Sequence, residues 1–179
     1  RPLEGLTQLG EHSLVLREER GGEVRFRMLA TIRDYARERL VERGEAERVR
    51  AAHARYFLSL AEELEPRLHG VEGQANLERL EMEHDNLLAA LSWAASANPL
   101  MEARLAGALA SFWETRGHCS EGRRRLEAVL GRGGELPPRV RHKVIQGAAR
   151  LAWYQGDFRR ARTLLEEVLR DLRGRGESE

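Results

Sequence analysis

The 179-residue chain is 41% hydrophobic and 33% charged, with a net charge of +1, a composition that fits a soluble globular protein and excludes a disordered or fibrous one. No apolar run approaches the roughly 18 residues of a membrane span, and the opening Arg1-Pro2-Leu3-Glu4 lacks a signal-peptide pattern. The single cysteine, Cys119, excludes an internal disulfide framework and suits a reducing cytoplasm.

The absence of an initiator Met leads us to expect that the chain starts inside a longer polypeptide. Residues 1–43 read as one domain. A short helix carries Leu3, Leu6 and Leu9. Ser13–Leu16 and Val24–Met28 follow as two strands, joined by the turn Glu18-Glu19-Arg20-Gly21-Gly22-Glu23, where glycine tolerates positive φ. A second helix places Ile32, Tyr35, Ala36 and Leu40 at helical spacing, with Thr31 near its start. Helix, hairpin, helix is the back half of a winged-helix unit.

Residues 44–179 read as helices throughout. Apolar stripes run through Val49, His53, Tyr56, Phe57, Leu60 and Leu64, and then through Leu77, Leu80, His84, Leu87, Leu88 and Leu91. Leu105, Ala108, Leu109, Phe112 and Trp113 make a third stripe, and Leu126, Val129 and Leu130 a short fourth. Val140, Val144, Ala148, Leu151 and Ala152 follow, and then Phe158, Ala161, Leu164, Leu165, Val168, Leu169 and Leu172. Short loops join about six helices, the layout of stacked antiparallel pairs.

An internal repeat sharpens this. Residues 116–130 align without a gap on residues 155–169, an offset of 39, with six of fifteen positions identical, among them Gly117/Gly156, Arg123/Arg162 and Leu126/Leu165. A tetratricopeptide unit is about 34 residues of helix-turn-helix with small residues at fixed places. The segment Leu151–Ala161 follows that pattern: Gly156 for the turn, Ala161 for close helix approach, Phe158 to fill the gap between helices, and Trp153 and Tyr154 at packing positions. In the first copy Cys119 replaces Phe158 and Gly122 replaces Ala161. The expected fold is therefore all-α, a tetratricopeptide-like solenoid preceded by a small N-terminal β-hairpin.

Charge is segregated along the sequence. Glu62–Asp85 holds eight acidic residues and two arginines, whereas Arg116–Arg162 holds twelve basic residues and four acidic ones. Solvated helix faces, complementary patches and a basic surface for an acidic partner all fit this pattern.

The chain resembles a stretch of large bacterial regulators. The resemblance rests on Leu3…Leu9…Ser13-Leu-Val, on Arg25–Leu40 with its Arg-Asp-Tyr-Ala core, on Arg50–Phe57 and on Arg79–Trp93 with Glu83-His84-Asp85-Asn86. These regulators are signal-transducing P-loop ATPases of the STAND class, with an NB-ARC-like core often fused to a LuxR-type DNA-binding domain. The resemblance implies that the chain comprises the end of the ATPase's winged-helix subdomain, acting as a regulatory clamp, and a tetratricopeptide-like sensor. It also implies cytoplasmic partners, namely the ATPase core, a signalling protein or an effector ligand.

No phosphate-binding Gly-x-x-x-x-Gly-Lys-[Ser/Thr] occurs, and the sole lysine is Lys143 in His142-Lys-Val-Ile. No cofactor is expected. A zinc site needs about four convergent ligands, whereas the six histidines and Cys119 are scattered, so no metal is expected. His53 and His84 read as core histidines, each with a hydrogen bond. Glu81, Glu83 and Asp85 point to different helix faces and make no acid–base pair. Cys119 beside His118 lacks an orienting third group. Enzyme activity is not expected. Arg116, Arg123, Arg150, Tyr154 and Gln155, near repeat turns or on polar faces, are the candidate partner-binding residues. The alternative is a nucleic-acid surface over residues 116–162, with Trp113, Trp153 and Tyr154 interleaved. DNA contact through the hairpin is not expected, because its tip is acidic. Self-association through an open solenoid end is a third reading.

Overall fold

In the computed structural model, residues 2–20 and 23–176 are described. Gly21-Gly22 of the expected turn, Arg1 and the end of the polar tail (177–179) lie outside them. The chain divides into two units, Arg1–Val49 and Arg50–Glu179.

The first unit holds α1 (Pro2–Glu11), β1 (Leu16–Arg20), β2 (Glu23–Arg27) and α2 (Ala30–Glu42). The strands pair antiparallel, Leu16 opposite Arg27 and Glu18 opposite Arg25. The first strand starts three residues later than its apolar alternation predicts. Ser13 sits at φ +56°, its amide donates to Gly10 O (2.9 Å), and the Leu14 amide donates to Leu9 O (2.9 Å). Ser13–Val15 therefore finishes α1 instead of opening the sheet, because free carbonyls at a helix end capture the next amides. Among the described residues of this unit Val15 is the buried apolar side chain, while Leu14, Leu16, Val24 and Phe26 stay exposed. Tyr35 departs from the expected stripe: it is 60% exposed and carries the Arg39 guanidinium 5.2 Å above its ring.

The second unit begins within α3 (Ala46–Leu64) and continues through a 3₁₀ turn at Glu65–Arg67, α4 (Gly73–Met82), α5 (His84–Ala97), α6 (Pro99–Thr115), α7 (Cys119–Gly131), α8 (Pro138–Tyr154) and α9 (Phe158–Gly176). The stripe read as one helix over 77–91 is two helices, because Glu83 (φ −96°, ψ 6°) breaks the ladder and accepts from Asn86 Nδ2 at 2.7 Å. From α5 onward each helix packs on the next, and α6 also packs on α8. Such serial packing through short connections makes antiparallel pairs. The centre is α6, with ten of its seventeen residues buried. Its alanines 103, 106, 108 and 110 let neighbours approach, and Phe112 and Trp113 fill the space between them.

The repeat is wider than the matched fifteen residues. Pro99–Thr115 and Pro138–Tyr154 are both 17-residue helices opened by proline, displaced by 39 positions at each end. The turns after them are equivalent too: Arg116 and Gln155 close their helices with similar dihedrals, and Gly117 and Gly156 take φ +80° and +77°. In this register Trp113 corresponds to Ala152, and Gly122 to Ala161. A Cβ on Gly122 would lie 2.6 Å from the Trp113 ring and 2.8 Å from Leu151 Cδ1. Large-plus-none in one copy replaces small-plus-small in the other.

That register corrects two expectations. Trp153 corresponds to Glu114 and faces outward. It and Tyr154 are each 61% exposed, so neither sits in the packing between helices. Phe158 does not fill the inter-helix gap; it is 57% exposed and meets Trp153 edge-on with centroids 4.8 Å apart.

Candidate functional site

The five residues singled out for partner contact fall largely into two bridges between the repeat copies. At the α8–α9 turn, Arg123 reaches from α7 and donates to Asp157 Oδ2 (2.6 Å) and Gln155 Oε1 (3.2 Å). Gln155 Nε2 in turn donates to Ser120 Oγ (2.9 Å). Asp157 accepts the Arg160 amide (3.1 Å), capping α9. The Arg123 guanidinium and that amide hold the Asp157 carboxyl below its ordinary value. On the other side, Arg150 donates to Ser111 Oγ (2.9 Å) and pairs with Glu114. The Tyr154 hydroxyl bonds the same carboxylate, which pushes its pKa up. Arg116 is half-buried, and its Nε and one terminal nitrogen have no hydrogen-bond partner.

The basic stretch is largely neutralised within the chain. Arg124 and Arg125 hold Glu121 (2.6 and 2.7 Å), Arg160 holds Glu127 (3.0 Å), and Arg141 holds Glu167 and Asp171. Arg132 makes a fork on Glu102 (2.7 and 2.8 Å) and donates to Ala95 O. Glu102 is a buried carboxylate, 3% exposed. Its pKa is raised by burial, against the pull of Arg132. Acidic and basic stretches also meet directly, at Lys143–Glu65 and His118–Glu81.

Beside this polar ladder lies an apolar face that sequence reasoning assigned to the interior. Leu165, Leu169 and Leu172 on α9 are 46–51% exposed, at the i, i+4, i+7 spacing of one helix side. Ala161, Leu164 and Val168 of the same helix are buried. A single-sequence stripe cannot separate these two sides, because both are apolar.

The fold also assembles residues that looked scattered. Glu81 at the end of α4, His84 at the start of α5 and His118 in the α6–α7 turn bring three potential metal-ligand atoms within 4.8 Å of one another. His118 Nε2 lies 3.1 and 3.2 Å from the two Glu81 oxygens. The His84 and His118 rings stack at 4.3 Å and 22°, with Phe112 5.7 Å from each. Burial is the largest cause lowering the His84 pKa, followed by His118. Its Nε2 is buried without a hydrogen-bond partner, in contrast to the core histidine with a satisfied ring expected from its stripe. His53 is half-buried against Phe57 at 4.6 Å. Cys119 donates its thiol to Trp113 O (3.8 Å), Glu81 faces His118, and Glu83 faces Asn86. None of these candidate catalytic groups is placed as a nucleophile beside a base.

Residues 2–41 match the family model of a winged helix-turn-helix domain. Over 129 residues the chain is 37% identical to proteins of Mycobacterium tuberculosis (strain ATCC 25618 / H37Rv) and Mycobacterium bovis, provisionally named HTH-type transcriptional regulators. The match covers 72% of this chain and 14% of theirs, so the chain corresponds to a small part of those relatives. Neither the family nor these relatives carries a catalytic name. No solved structure matches. No helix among the described residues is long and apolar enough to cross a membrane. The chain is thus similar over most of its length to bacterial proteins named as transcriptional regulators, with a winged helix-turn-helix match at its N-terminal end.

Proposed function

We propose that the chain is a non-catalytic regulatory module of a larger bacterial transcription regulator. Its stacked helical pairs bind a protein segment, and occupancy there controls an ATPase core lying outside this chain. The observation that carries the reading is the outer face of α9, where Leu165, Leu169 and Leu172 are exposed within this chain although Leu126, the counterpart of Leu165, is buried; a helix from elsewhere in the longer protein or from a partner fits there. Such a row receives the apolar side of an amphipathic helix, and the neighbouring Trp153–Phe158 pair supplies rigid aromatic area of the kind that anchors interfaces. The tetratricopeptide reading of the pairs draws support from the 39-residue displacement of helix ends and glycine turns. The winged-helix match and the relatives' names support the regulatory setting. Residues 2–43 carry eight basic and eight acidic side chains, a neutral balance that favours a clamp over a phosphate-tracking surface.

The nucleic-acid reading of residues 116–162 has less behind it. A guanidinium already bound to a carboxylate must break that pair to neutralise a phosphate, so few counterions would be released on binding.

The test has two arms. A labelled random-sequence duplex titrated with the chain at physiological salt is expected to give no binding. Tight binding that falls steeply with salt would move the function to nucleic acid. In the full-length regulator, Leu165→Glu with Leu169→Glu is expected to abolish the transcriptional response, while the isolated chain keeps its stability within about 0.5 kcal/mol per site. An unchanged response would end the proposal. A monomer mass by light scattering, constant with concentration, would assign the face to a different protein instead of a second copy.

A further inference from the structure

We propose that Glu81, His84 and His118 form a binding site for a divalent transition metal ion, with Zn²⁺ the ion best suited to the donors. Two imidazoles and a carboxylate are the mixed nitrogen–oxygen set that zinc takes at sites keeping a fourth position open, whereas calcium and magnesium call for oxygen donors throughout. The spacing fits. The three donor atoms lie within 4.8 Å of one another. His118 Nε2 stands 3.1 and 3.2 Å from the Glu81 oxygens, a hydrogen bond that a shared metal would replace.

Glu81 and His84 stand on helices, and His118 stands on the turn beside them. The ladder break at Glu83 ends α4 and starts α5, setting Glu81 and His84 at one corner. His118 comes to the same corner from the α6–α7 turn, whose geometry Gly117 sets at φ +80°. Two further observations point to a cation. His84 Nε2 is buried and has no hydrogen-bond partner, the kind of orphan that an ion or water satisfies. The carboxylates of Glu81, Asp85 and Glu121 bear on that ring, with burial and the His118 ring acting against them. Glu121 is held by Arg124 and Arg125 and would stay an outer-sphere charge. The fourth position is then left to water or to a donor from a partner.

One movement is required. The two rings stack at 22°, so their in-plane lone pairs run nearly parallel and cannot converge on one ion. His118, on a surface turn, must rotate out of the stack, exchanging its Glu81 hydrogen bond for a shared metal. A bound ion would tie the α4–α5 corner to the α6–α7 turn. This site is independent of the α9 face and of the regulator reading.

The test is a calorimetric titration of the untagged, chelator-stripped chain with ZnCl₂. Co²⁺ absorption would report coordination number, and His118→Asn and Glu81→Gln, both at partly exposed positions, would be compared with His53→Asn. We expect one equivalent to bind, affinity to fall at least roughly tenfold in each of the first two variants, and no change in the third. The proposal is overturned by the absence of saturable one-equivalent binding in the unsubstituted chain. It is equally overturned if His118→Asn and Glu81→Gln, with unchanged helicity, bind as the parent does.

Discussion

Gly122 shows how much one side chain can hinge on its neighbour. A glycine inside a helix ordinarily costs about 1 kcal/mol relative to alanine, so Gly122→Ala in α7 should stabilise on propensity alone. Here the added Cβ would meet the Trp113 ring at 2.6 Å and Leu151 at 2.8 Å. Both residues are fully buried and cannot swing aside. Overpacking of this kind costs roughly 1–3 kcal/mol, so we expect Gly122→Ala to lower stability in urea melts. Trp113→Ala should cost about 3–5 kcal/mol. In that background Gly122→Ala should turn neutral or favourable, because the double variant recreates the Ala152/Ala161 pair of the other copy. Additive losses would show that the two positions do not compensate.

At the scale of elements, the α8–α9 turn is held by Asp157, which caps α9 and binds Arg123. Its carboxyl stays charged to lower pH in the folded chain than its ordinary value near 3.8. The folded state therefore binds fewer protons than the unfolded one as pH falls through that range. The stabilisation is complete above the unfolded value and is lost as pH drops through the folded one. We expect Asp157→Asn to melt below the parent at pH 7 and the gap to shrink steadily below pH 3.8. A gap independent of pH would mean that the asparagine keeps both hydrogen bonds and that charge contributes nothing there. The α6–α7 turn has His118 at the equivalent position, without a side-chain cap, and shares with its counterpart only the glycine, Gly117 for Gly156. Sequence identity between the copies pointed to the turns correctly, and the substitution at this one position explains why they are stabilised differently.

At the scale of the molecule, the second unit is a series of helices packed on their neighbours, and stability in such arrays is a sum of local terms. Hydrogen exchange should find the slowest amides in α6, which touches α5, α7 and α8, and the fastest toward the end of α9. Leu164→Ala is expected to speed exchange in α8 and α9 while leaving α5 and α6 nearly unchanged. Uniform acceleration across α5–α9 would instead mark one cooperative unit. Charge works at the same scale. The excess of twelve basic over four acidic residues in 116–162 looks like a patch on paper. In the fold its arginines meet the buried Glu102 and, nearer the surface, Glu114, Glu166, Glu167 and Asp171, all of them outside the stretch. Exposed pairs of this kind contribute about 0–1 kcal/mol each. Their main effect is to remove a basic surface that composition suggests.

Helical period, glycine turns and the 39-residue repeat were legible in the sequence because each is a local property: spacing along one helix or the φ of one residue. The all-α architecture and its N-terminal hairpin follow from them. The start of the first strand was not, because the amides of Ser13 and Leu14 choose between a sheet partner and the carbonyls of α1, and only the assembled backbone settles which is nearer. Nor was the exposure of Trp153, Tyr154 and Phe158 legible. An apolar side chain in a helix can face either of two neighbours, and which side is covered depends on what packs there. The corner formed by Glu81, His84 and His118 joins residues up to 37 positions apart. Tertiary structure alone brought them together, since the packing of α4–α5 beside the α6–α7 turn is a property of no single segment.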